Sequence, residues 1–127
     1  MVGLARLRQV GDLVSASPTG PPPQELVIGR NLDSGGAVLI TLFGELDLAT
    51  AGPLEQELDI AESEGTQSIV VDLSGLDFMD STGLELLLLA NQRAQSNGHD
   101  LSLLRGTPCV QRVFELTGTA AGFSFAD

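Results

Sequence analysis

The chain has 127 residues, enough for one domain around one core, and 43% are hydrophobic, as in soluble globular proteins. Its net charge of −11 comes from 17 acidic residues against six arginines and no lysine. That balance argues against a polyphosphate or an anionic membrane as partner and favours a basic protein surface.

Cys109 is the only cysteine, so no intrachain disulfide and no cysteine-rich metal site can form, and a reducing cytoplasm is the expected setting. With no Trp and no Tyr, the core must be built mainly from Leu, Val, Ile and Ala. Arg6, Arg8 and Asp12 interrupt the stretch Met1 to Val14, which therefore lacks a secretory apolar segment. The longest apolar run, Leu86 to Ala90, is far too short to cross a bilayer.

Leu4, Leu7, Val10 and Leu13 recur at helix-like spacing, which fits either a short docking helix or a frayed tail; the tail is the reading adopted. Ser15 to Pro23, reading SASPTGPPP, has the composition of an extended linker. Residues 1–23 are thus expected to form a flexible extension and Pro-rich linker, and residues 24–127 the folded domain.

Leu26 to Ile28 and Ala37 to Phe43 read as strands of a β-hairpin, with Asp33, Ser34, Gly35 and Gly36 between them and Gly44 ending the second. Thr50 offers a cap for a helix tolerant of Pro53 in its first turn, with Leu54, Leu58 and Ala61 on one face and an acidic exterior. Ser68 to Leu73 follows as the central strand, its run Ile69, Val70 and Val71 pointing to cover on both faces. Ser74 to Met79 reads as a loop.

Asp80 and Ser81 are cap-type residues before a helix that runs to about Ser96 and stops at Gly98. Leu101 to Leu104 is a strand. Thr107 and Pro108 open a third helix, with Val110, Val113 and Phe114 inward and Gly118 as its stop, and Phe123 to Phe125 is the final strand. Strands joined by crossover helices lie parallel, so the order implies an α/β sandwich with an antiparallel hairpin at one edge.

The segment Asp72 to Leu87, DLSGLDFMDSTGLELL, places two hydroxyl residues after an acidic one where a loop becomes a helix. Helix N-termini present unpaired N–H groups and positive partial charge, so an anion formed on Ser81 would be tolerated without refolding. A phosphate there adds about −1.5 to −2 charges beside Asp80. The plainer possibility is that Asp80 or Ser81 simply caps the helix. Leu84, Leu86, Leu87, Leu88 and Leu89 surround more of that helix than a sheet-facing stripe requires. Either some of them stay exposed for docking, or a neighbouring helix or the N-terminal tail covers them.

Phe78 to Leu84 (FMDSTGL), within VVDLSGLDFMDSTG, resembles the signature of the bacterial anti-sigma factor antagonists of the STAS family. Gly44 to Asp47 (GELD) resembles that family's earlier turn and Val110 to Gly118 (VQRVFELTG) its last helix, so the likeness covers roughly residues 38 to 118. The resemblance implies a STAS-like sandwich, with a mixed, mostly parallel sheet of four to five strands, an N-terminal antiparallel hairpin and covering helices. It also implies a cytoplasmic regulator of transcription in the stress response. The unphosphorylated form would bind an anti-sigma factor, itself a serine kinase, and release the sigma factor; phosphorylation of Ser81 would end that binding. Thr82 is the runner-up acceptor. Asp47, Asp80, Ser81, Thr82, Gly83 and Leu84 would form the partner-binding surface. No catalytic residue, metal or cofactor is implied, nucleic acid and membrane are not expected as partners, and the chain would be a monomer or weak dimer.

The first 23 residues match none of these motifs. The alternative is a STAS scaffold module that binds without phosphorylation. A Ser-His-Asp hydrolase does not fit, because the only histidine, His99, lies beyond the far end of the helix that Ser81 starts, about 25 Å away, and reads as an exposed turn residue. A phosphoaspartate receiver would need an acidic pair after its first strand and a lysine. An NTPase would need a GxxxxGK(S/T) loop.

Overall fold

A computed structural model describes residues 25–33 and 35–126; the expectations for residues 1–23 lie outside it. Strands β1 (Leu26–Leu32) and β2 (Ala37–Leu46) form the antiparallel hairpin. Its turn is closed by the Asp33 carboxylate, whose Oδ1 accepts from the N–H groups of Gly35 at 2.8 Å and Ala37 at 2.9 Å. Helix α1 (Ala51–Ser63), β3 (Ser68–Met79), α2 (Ser81–Asn97), β4 (Asp100–Leu104), α3 (Pro108–Leu116), a 3-10 turn (Ala120–Gly122) and β5 (Ser124–Ala126) follow. The five strands lie in the sheet in chain order, β2 to β5 parallel and β3 central.

That order decides where the core sits. Each crossover moves one strand over in the same direction, and the right-handed rule then puts all three helices on one face. Burial agrees. Val38, Ile40 and Leu42 of β2, Ile69, Val71 and Leu73 of β3, and Leu101 and Leu103 of β4 are buried against Leu54, Leu58, Leu87, Val110 and Phe114. Arg30, pointing to the same side, pairs with Glu57 and Glu64 and ties β1 to α1. Phe114 stacks edge-on against Phe123 and Phe125, each with ring centroids 5.3 Å away, and so anchors β5.

The other face carries Val27, Leu39, Thr41, Phe43, Val70, Asp72 and Leu104, none of them buried. The run Ile69 to Val71 predicts cover on both faces; among the described residues helices cover only one.

Two strands are longer than the sequence pattern indicates. β2 does not end at Gly44 but continues to Leu46, and the expected loop Ser74 to Met79 is the second half of β3. The pairing slips between Thr41 and Phe43 and again between Gly44 and Glu45. Buried positions therefore fall at Leu73, Leu76 and Met79, three apart, which hides the period-two pattern of a strand.

At the second slip Gly44 has φ 109°, and a Cβ there would lie 1.9 Å from the carbonyl oxygen of Glu25. That oxygen is held close by accepting the Glu45 N–H at 3.2 Å. Gly44→Ala should lower stability by about 3 kcal/mol in urea unfolding. Gly65→Ala, at φ 75° in open space, should cost only about 1 kcal/mol. Equal losses would show that the approach of Glu25 does not fix the bulge.

Candidate functional site

β2 and β3 are parallel neighbours whose last residues, Leu46 and Met79, are paired. Whatever follows these strands must emerge side by side at one edge of the sheet, the carboxyl end where α/β proteins place their binding sites. Asp47 to Thr50 follow β2, and Asp80 followed by α2 succeeds β3. The Asp80 N–H donates to the Leu46 carbonyl at 3.1 Å and joins the two turns.

Asp80 is the N-cap of α2. Its Oδ1 accepts from the N–H groups of Thr82 at 2.9 Å and Gly83 at 3.3 Å, and its carbonyl accepts from Leu84 at 3.1 Å. Two of the backbone donors expected to receive an anion on Ser81, those of Thr82 and Gly83, are thus already committed to a carboxylate. Ser81 itself is the first helical residue, exposed, and its hydroxyl takes no hydrogen-bond partner among the described residues. A phosphoryl group there would project from the helix end beside a carboxylate rather than settle into it.

Asp47 is half-buried and organises its own turn, its Oδ1 accepting from Ala49 N–H at 3.0 Å and Thr50 N–H at 3.2 Å. Thr50 occupies the N-cap position of α1, but its hydroxyl does not cap the helix. It accepts the Asp47 N–H at 2.9 Å and donates to the Glu45 carbonyl at 2.8 Å, closing the turn from the other side. The expectation of a helix cap is corrected: Thr50 holds the loop, not the helix.

Of the residues expected on the surface, Asp47, Asp80, Ser81 and Thr82 are brought together by these two turns. Gly83 and Leu84 are not surface. Leu84 is 4% exposed and belongs to the core, and a Cβ on Gly83 would lie 2.7 Å from Leu46 Cγ. These two residues set how closely α2 approaches the end of β2. His99 is also less open than a turn residue should be: it is half-buried, and its Nε2 is sealed without a hydrogen-bond partner.

Beside Ser81 runs a groove of about 300 Å³ between α1 and α2, reached through Thr82. Leu48, Leu86 and Leu89 give it apolar walls, and Glu55 and Glu85 line it as well. Leu48 is 79% and Leu89 48% exposed, so one leucine of the α2 run does stay open, while Leu84 and Leu87 are buried and Leu86 and Leu88 half-buried. The groove's Arg93 is engaged with Glu62 at 3.0 Å. Sequence reasoning missed Leu48, Glu55 and Glu85. An apolar residue directly after the GELD turn, flanked by Asp47 and Ala49, was the available sign for Leu48.

The family model described as Mlab, STAS domain, matches residues 32–121. The anti-sigma-B factor antagonist of Staphylococcus aureus (strain NCTC 8325 / PS 47) is 37% identical over 79 residues, spanning 62% of this chain and 73% of that protein. An anti-sigma factor antagonist from Mycobacterium paratuberculosis has the same fold, with TM-score 0.71 at 23% identity over 87% of this chain and 89% of its own. SpoIIAA is similar in both its solved states at 25% identity. The unphosphorylated form gives TM-score 0.68 over 80% of this chain and 89% of its own, and the phosphorylated form, from Bacillus, 0.63 over 80% and 92%.

Because the Asp47 carboxylate carries two backbone N–H bonds, Asp47→Ala should lower stability by about 1 kcal/mol in urea unfolding, and Asp47→Asn by less. An unchanged midpoint for Asp47→Ala would show that the turn stands without its carboxylate.

Proposed function

Because the chain belongs to the STAS-domain family of anti-sigma factor antagonists, we propose that its unphosphorylated form binds an anti-sigma factor that is a serine kinase, thereby releasing a sigma factor, and that phosphorylation of Ser81 abolishes the binding. The observation that carries this reading is the Ser81 hydroxyl, exposed and unpartnered at the first turn of α2, next to an apolar groove. The kinase transfers the γ-phosphoryl group of ATP to Ser81 Oγ: an O–P bond forms, the bond to ADP breaks, and the hydroxyl proton leaves to a base on the kinase.

The groove suits an amphipathic, basic element of the partner. Apolar side chains would enter between Leu48 and Leu89, and cations would meet Glu55 and Glu85. A phosphoryl group at its mouth adds about −1.5 to −2 charges next to Asp80, and a buried interface that must accommodate an unpaired charge loses much of its affinity. The core would be left in place, since Ser81 is exposed. The cytoplasm, where ATP-dependent kinases and sigma factors meet, is the setting of this proposal, and no helix among the described residues is long and apolar enough to cross a membrane.

The scaffold alternative shares the groove but not the modification. Incubation with ATP and a candidate anti-sigma kinase should give a mass increase of one phosphoryl group that disappears in Ser81→Ala; no increase with any kinase that binds the protein would favour the scaffold. Ser81→Ala should bind the anti-sigma factor permanently and Ser81→Asp at least about tenfold more weakly, roughly 1.4 kcal/mol. Equal affinities of the two variants would refute the switch. Asp47→Asn, which keeps the turn, should still weaken binding if the carboxylate meets a partner cation, whereas Asp47→Ala confounds that contact with loss of the turn.

A further inference from the structure

All-parallel sheets are as a rule covered on both faces; β2 to β5 are parallel here, and the face opposite the helices carries an apolar strip. Leu39 and Val70 are paired across β2 and β3, and Leu104 lies one row on, paired with Asp72. Phe43, 51% exposed, and Val27, 59% exposed, are paired with each other and extend the strip toward β1. A groove of about 290 Å³ opens at its hairpin end, lined by Leu32, Leu39 and Val70. No described element crosses this face.

We propose that residues 1–14, rather than fraying as the tail expected from sequence, cover it, with Leu4, Leu7 and Val10 meeting Leu39, Val70 and Leu104. Reach permits this. Nine Pro-rich residues, Ser15 to Pro23, would reach roughly 28 Å at the about 3.1 Å per residue of an extended polyproline chain. Five strands about 4.8 Å apart measure roughly 19 Å from first to last. The linker precedes β1 in sequence, and Val27 of β1 points to this face, which would bring the segment to the edge it has to cover.

Pattern and charge agree with reach. The helix-like spacing of Leu4, Leu7 and Val10 offers one apolar stripe to one apolar strip. Arg6 and Arg8 supply two of the six basic residues of a chain with net charge −11, and Asp72 stands on the bare face. A second copy covering the same face would bring Asp72 against its counterpart and two acidic domains together, which the segment avoids.

The chain contains no Trp or Tyr, so Leu7→Trp in the full-length protein reports on the segment without background. The introduced indole should emit at short wavelength and be quenched by acrylamide severalfold less than in the same chain unfolded in urea, independently of protein concentration. Val70→Thr, β-branched like the residue it replaces, should raise the quenching, with the fold checked by circular dichroism. Leu116→Thr, on the solvent side of α3 at 79% exposure, should leave it unchanged. Quenching equal to that of the unfolded chain overturns the proposal whatever the Val70 variant does. So does protection that grows with concentration in step with dimer formation, which would assign the face to a second copy, and so does protection lost in Leu116→Thr but kept in Val70→Thr.

Discussion

The parallel pairing of β2 with β3, carried through to Leu46 and Met79, is the constraint on which the rest of the molecule depends. It requires two slips in register, and these in turn require Gly44 at positive φ and Gly75 beneath Phe43, where a Cβ would sit 2.4 Å from Phe43 Cδ1. Without them β2 and β3 would end earlier and their following turns would diverge. With them, the Asp47 turn and the Asp80 cap are hydrogen-bonded neighbours, and Ser81, Thr82 and the mouth of the groove share one edge of the sheet.

Charge and packing divide the labour at that edge. Asp80 and Asp47 spend their carboxylates on backbone N–H groups, which fixes the two turns, and Gly83 and Leu84 lock the first turn of α2 onto the strand ends. The rigid frame leaves Ser81 free of structural duties. A modification proposed at such a residue would change what the surface presents while leaving the fold alone, the physical requirement for a switch that acts on partner choice. The same sheet order that builds this edge also puts every helix on one side and leaves Leu39, Val70 and Leu104 without one.

The helices were legible because their ends carry local chemistry. Asp80 caps α2, Gly98 closes it at φ 80°, and Thr107 before Pro108 starts α3. The second half of β3 was not, because the slip at Gly75 replaces alternation by a three-residue spacing that resembles a loop. The exposed place of Ser81 at the start of α2 was legible from the cap residue before it. The burial of Gly83 and Leu84 was not visible, since it arises from the approach of α2 to Leu46, a contact between residues far apart in sequence. Thr50 misled for a related reason: a hydroxyl at a helix start caps it only when the loop behind makes no stronger demand, and here the Glu45 carbonyl and the Asp47 N–H do.

A phosphoryl group on Ser81 is proposed to alter the docking edge and nothing beneath it. Phosphoserine incorporated at position 81 during synthesis, followed by a comparison of backbone amide chemical shifts with the unmodified protein, tests this directly. Shifts confined to Asp47 to Thr50, the first turns of α2 and the groove residues of α1 are expected. Changes spread through the core strands at Val38 to Leu42 and Ile69 to Leu73 would contradict it.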